Sequence, residues 1–130
     1  MRFVRSGTRV YNLDHVVSLQ LVGIQTGEWF VNVHMRQHFI AHYWGIDKAV
    51  ATTKLQVLAR DFLEAGLRLV RCEDAYYAPA EVYAVSYLVP PAPGEPMIYV
   101  LTSVGHYTHK GTPAQLSLAF DDFVDKLRHA

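Results

Sequence analysis

Seven histidines stand in this chain, and three of them, His34, His38 and His42, are spaced by four. Imidazole is the commonest metal-binding side chain, so the spacing raises the question of zinc. On one continuous strand an even spacing puts all three rings on one face. They would then stand about 13 Å apart in steps, too far for one ion with ligands near 2 Å. A turn at Arg36-Gln37 would fold the strand back and bring His34 and His38 together. His106 and His109 are then the candidates to join them from the second half. The competing reading is a row of histidines on a solvent-facing sheet or at a subunit contact. His15 and His129 read as surface residues.

Other chemistry has thinner support. Cys72 is the single cysteine, and Glu73 and Asp74 beside it oppose the thiolate that a nucleophile needs. Asp121 and Asp125 are four apart and share the exposed face of a helix. The glycines stand singly at turns, so no phosphate-cradling loop is present. The expectation is therefore no catalytic residue and no cofactor. A single-strand nucleic-acid site needs aromatic platforms along a basic groove. Its candidates, equally candidates for another ligand, are Arg5, Arg36, Arg71, Tyr99 and Tyr107.

Composition limits the classes further. The chain has 130 residues, 51% of them apolar and 18% charged, which excludes a disordered chain. Twelve Lys and Arg balance twelve Asp and Glu. No global charge then draws the protein to nucleic acid or to an acidic membrane. No apolar run reaches the roughly 18 residues of a membrane span. Met-Arg-Phe-Val-Arg does not open a signal peptide. With one cysteine, these features make the expectation a cytoplasmic protein with no membrane contact.

The elements that must position these residues recur. At an offset of 66, Phe3-Val4-Arg5 falls on Leu69-Val70-Arg71 and Val10-Tyr11 on Tyr76-Tyr77. Val16, Leu19, Leu21 and Val22 fall on Val82, Val85, Tyr87 and Leu88. At 67, Gly27-Glu28 meets Gly94-Glu95, and Val31 and Val33 meet Ile98 and Val100. At 61, Asp61-Phe62-Leu63-Glu64 meets Asp122-Phe123-Val124-Asp125. The expectation is one compact domain over residues 1–130, built of two repeats, 1–66 and 67–130.

Each half reads as strands followed by one helix. Trp29, Val31, Val33 and Met35 share one strand face and Phe30, Asn32 and His34 the other, the period-2 pattern of a half-buried strand. Ala51, Leu55, Leu58 and Phe62 mark the buried face of a first helix, capped by Asp47 and ended by Gly66. Thr112-Pro113-Ala114-Gln115 opens a second helix as a capping box. Its buried stripe is Leu116, Phe120, Phe123, Val124 and Leu127. The fold class is α+β: an antiparallel sheet plus one C-terminal helix, ββββα, occurring twice. Two helices are scant cover for so many strands, and edge strands need pairing or protection. A homodimer meets both needs.

Phe3-Val4-Arg5-Ser6-Gly7 and Val10-Tyr11-Asn12-Leu13-Asp14-His15-Val16 resemble small uncharacterised bacterial strand-rich modules with an Asn-Leu-Asp-type corner and a closing helix. The resemblance covers residues 3–22. In the second half Ala78-Pro79-Ala80 stands where the corner would be. The order of elements is also similar to the Whirly and PUR families, whose duplicated ββββα units bind single-stranded nucleic acid, and to a pleckstrin-homology-like half-barrel. The leading expectation is a non-enzymatic, homodimeric protein that binds a protein or small ligand. The alternatives are a single-stranded nucleic-acid binder and a histidine-dependent metal protein or enzyme.

Overall fold

Among the described residues ten short strands and two helices follow one another, and their order of types is the same in both halves. The first half runs β1 (Phe3–Ser6), β2 (Arg9–Asn12), a 3-10 turn (Leu13–His15), β3 (Val16–Gly23), β4 (Trp29–Met35), β5 (His38–Tyr43) and α1 (Lys48–Glu64). The second runs β6 (Val70–Cys72), β7 (Ala75–Tyr77), a 3-10 turn (Pro79–Glu81), β8 (Val82–Leu88), β9 (Met97–Thr102), β10 (Gly105–Lys110) and α2 (Pro113–Arg128). The computed structural model describes residues 2–43 and 47–130; the side chains of His38, Phe39, Ala41 and Tyr43 lie outside the described set. Each half thus carries five strands rather than four, because its opening run is a hairpin of two short strands. The class is α+β, with antiparallel sheets and a C-terminal helix.

The opening hairpins turn on a left-handed residue at the same place, Gly7 at φ 63° and Glu73 at φ 52°. Glycine takes that conformation freely, and glutamate takes it at some cost. In each turn an arginine holds a carbonyl. Arg5 Nε donates to Gly7 O at 3.0 Å, and Arg71 Nε donates to Glu73 O at 3.0 Å. The 3-10 corners that follow reach the same shape by different chemistry. The Asn12 side chain accepts from the Asp14 amide at 3.1 Å. Pro79 opens the second corner with φ already set. The Asn-Leu-Asp sequence is therefore one way to build this corner, and Ala-Pro-Ala is another.

Both helices form where the spacing places them. Asp47 Oδ1 accepts from the amides of Ala49 and Val50, Thr112 Oγ1 accepts from the amide of Gln115, and Gly66 follows α1 at φ 97°. Ala51, Leu55, Leu58 and Phe62 are all buried, as are Leu116 and Phe123. α1 covers β1, β3 and β4, while α2 covers β6, β8 and β9. Each helix stays with its own half.

The sheets do not. Hydrogen bonding gives a two-stranded sheet β1-β2, a three-stranded sheet β10-β9-β8, and a five-stranded sheet β5-β4-β3-β7-β6. The hairpin of the second half crosses over and extends the sheet of the first. β7 pairs β3 with Ser18 opposite Tyr77, Leu19 opposite Tyr76 and Gln20 opposite Ala75. The expectation of one sheet per half is corrected accordingly.

This crossing couples the two cores. Because side chains alternate along a strand, Tyr76 packs on the first cluster (Tyr11, Leu19, Val31, Val33, Leu55, Phe62). Tyr77 lies in the second (Val70, Ala75, Ile98, Val100, Leu116, Phe123). The five-stranded sheet is thus buried on both faces at β3, where Val17, Ser18 and Leu19 are all inaccessible.

Candidate functional site

The polar chemistry gathers at two tyrosine–histidine pairs, one in each core. The Tyr77 hydroxyl accepts from Gln20 Nε2 at 3.2 Å and contacts His109 Nε2 at 2.6 Å. Burial disfavours the charged imidazole at His109, so this contact joins the hydroxyl to a ring held towards its neutral form. The Tyr11 hydroxyl makes the matching bond to His42 Nε2. Tyr11 lies edge-on to Phe62 with centroids 5.1 Å apart, and Tyr77 is tilted against Phe123 at 5.5 Å. Each pair ties the second strand of a hairpin to the last strand before a helix.

Burial sets the protonation of these groups. It pushes the Tyr11 hydroxyl up to about 12, with Arg9 acting weakly the other way, and raises Tyr77 as well, against a smaller lowering by the Gln20 hydrogen bond. Burial also lowers His34, His42 and His109 below the ordinary 6.5. The sign of the consequence follows. Between the depressed folded values and 6.5 the unfolded chain binds more protons, so stability rises with pH across that window. The melting temperature is expected to hold above pH of about 6.5 and to fall on acidification below it. His109→Gln should flatten part of that slope in thermal melts. An unchanged slope would show that His109 is not held neutral.

The remaining candidate residues sit as follows. His34 meets Tyr107 edge-on with centroids 4.9 Å apart, and His106 stacks on Tyr99 at 5.0 Å and 15°. His38 falls among the undescribed side chains. Among the described residues no three of His, Cys, Asp and Glu are gathered to hold a metal ion. The turn at Arg36-Gln37 does fold the chain back, with Gln37 at φ 79° and Met35 opposite His38. Arg36 itself spans the halves. Its guanidinium ion-pairs with Glu81, with Nε donating to Oε1 at 2.8 Å. The Glu81 side chain is only 8% exposed. Burial pushes its carboxyl up, but polar neighbours, the Arg36 hydrogen bond and charge among them, outweigh that and hold it below the usual range.

Two clefts lie at matching places, each between a hairpin turn and a helix. The first, about 400 Å3, is lined by Ser6, Arg9, His42, Lys54 and Asp61, and Ser6 Oγ donates to Asp61 Oδ2 at 3.0 Å. The second, about 220 Å3, has Cys72 in place of serine and Asp122 in place of Asp61. Burial, with the charges of Glu73 and Asp122, pushes the Cys72 thiol up to about 12. A thiol of that kind is a poor nucleophile.

The outer face of the three-stranded sheet is different in kind. Leu88 and Leu101 are exposed there, Tyr83 stands 68% exposed beside them on β8, and Val104 projects from the β9–β10 turn. The sequence does not say which face of this sheet is left open. The Tyr–His pairs were missed, although a signal existed: at an offset of 67, His42 falls on His109, just as Tyr11 falls on Tyr77 at 66. No helix among the described residues is long and apolar enough to cross a membrane. Compared with protein-family models, curated proteins and solved structures, the chain has no match.

Proposed function

We propose that this protein is a non-enzymatic interaction module made of two copies of one strand-and-helix unit, and that it works as a homodimer joined through the sheet of its second half. The observation that carries this is the uncovered apolar surface of β8–β10. Large exposed apolar areas on a folded chain mark sites of association. Support for the duplication comes from the identical order of elements, the two Tyr–His pairs, the two arginine-held turns and the matching clefts.

A single-stranded nucleic-acid site is the weaker reading, because the candidate cations are already engaged. Arg36 is paired to Glu81, Arg5 and Arg71 hold turn carbonyls, and Tyr107 is packed against His34.

Light scattering is the test. The expected mass is twice 14.7 kDa, and Tyr83→Lys should weaken the dimer by about ten-fold or more, as loss of an interface anchor does. A monomer at micromolar concentration sinks the reading. A labelled oligonucleotide that shifts at about 50 mM salt and is released as salt rises would favour nucleic acid instead.

A further inference from the structure

The chain contains its own template for a strand junction, used once and left open once. The hairpin β6-β7 lies on the free edge of β3 and completes a five-stranded sheet. β8 holds the place of β3 in the second half, down to the same register shift: Val16/Ser18 in β3 and Val82/Ala84 in β8. Among the described residues β8 has a strand on one edge only, and so does β2, the counterpart of β7. The difference shows in burial. Val17 in β3 is fully buried, while its counterpart Tyr83 is 68% exposed. Ser18 is fully buried, while Ala84 is exposed. Val10 on the open edge of β2 is 63% exposed.

We infer that two copies of this chain close on each other by strand addition, β2 of each pairing antiparallel with β8 of the other. The inference rests on the homodimer proposed above and names its mode and register. Carrying the β3–β7 pairing over places Tyr11 opposite Ala84, Val10 opposite Val85 and Arg9 opposite Ser86. The three-stranded sheet then becomes five-stranded, in the order β10-β9-β8-β2-β1 with the last two strands from the second copy. This matches β5-β4-β3-β7-β6. The free edges of β2 and β8 are used, and Val10 and Tyr83 go from solvent to a strand junction. Two such junctions related by a two-fold axis make a closed pair, because each copy gives its β2 edge and receives on its β8 edge. Charge favours the contact: residues 1–65 carry seven Lys and Arg against five Asp and Glu, and residues 66–130 carry five against seven. A basic half thus meets an acidic one.

A disulfide reads the register. In the β3–β7 junction the backbone bonds Ala78 N to Val17 O and Leu21 N to Asp74 O mark the hydrogen-bonded pairs. Ser18–Tyr77 and Gln20–Ala75 are then the non-hydrogen-bonded pairs, whose side chains stand closest. Their counterparts are Ala84–Tyr11 and Ser86–Arg9. The full-length double variant Arg9→Cys, Ser86→Cys should oxidise to a species of twice the chain mass on a non-reducing gel. The buried Cys72 should stay reduced, and Arg9→Cys or Ser86→Cys alone should give no cross-link. Moving the second cysteine from Ser86 to Leu88 should abolish the product. A dimer by light scattering that fails to cross-link at this pair overturns strand addition and leaves the dimer standing. A cross-linked species at the mass of one chain overturns the inference by showing β2 and β8 joined within the chain. A monomer by light scattering overturns the inference together with the homodimer.

Discussion

Phe62→Ala and Phe123→Ala are each expected to lower stability by about 3–5 kcal/mol, the usual cost of removing a buried phenylalanine. Both rings are fully buried. Each belongs to the buried face of its helix and neighbours a buried tyrosine whose hydroxyl contacts a histidine. Alanine leaves a cavity that the surrounding strands fill only in part, because they are fixed by their ladders. A domain of this size has about 5–15 kcal/mol in total, so either variant removes a large share. Chemical denaturation should show a lower midpoint with an unchanged slope. A single transition is also expected, since β7 places Tyr76 in one core and Tyr77 in the other. Two separate transitions would show that the cores unfold independently, and a loss below about 1 kcal/mol would show that the site collapses freely.

Arg36→Ala is the second large effect. It strands the Glu81 carboxylate, which is buried while its partner is half exposed. Leaving a buried charged acceptor without its donor costs about 1–3 kcal/mol. The partial exposure of Arg36 argues for the lower part of that range. The pH dependence gives the cause. In the parent protein the Glu81 carboxyl is held low, so its contribution is present above the unfolded carboxylate value and is lost as pH falls through the folded one. Without Arg36 the carboxyl loses that side chain's hydrogen bond and charge, so its folded value moves up and the penalty at neutral pH is relieved as it takes up a proton. The gap between variant and parent should therefore narrow as pH is lowered from 7 towards 4, about three units of titration. The double variant Arg36→Ala, Glu81→Gln should recover part of the loss. If the gap in denaturation midpoints is the same at both ends of that range, the ion pair is not the source of the effect.

Much of the local structure was legible without coordinates. The alternation in Trp29–Met35 marked a strand with Val31, Val33 and Met35 inward, and those three are buried. The four-and-three spacing of Ala51, Leu55, Leu58 and Phe62 marked the face that α1 buries. Asp47, Thr112 and Gly66 marked helix ends. These features depend on neighbours in sequence, through side-chain period and capping bonds. The surroundings of the candidate residues were not legible in this way. Arg36, a candidate ligand contact, holds a carboxylate 45 positions away. His109, a candidate metal ligand, lies in hydrogen-bond contact with the Tyr77 hydroxyl. Both partners are remote in the chain, and an isolated arginine or histidine carries no mark of which remote group it will meet.

The sequence by itself determined the α+β class, the two helices and the face that each helix buries. Only the tertiary structure decided that the second hairpin leaves its own half to complete the sheet of the first, while both helices stay at home. Local periodicity says which face of a strand is apolar, but a strand edge carries the same backbone donors and acceptors whatever its side chains. The choice of partner for an edge is made by packing on both faces at once, and at β3 that packing comes from both halves of the chain.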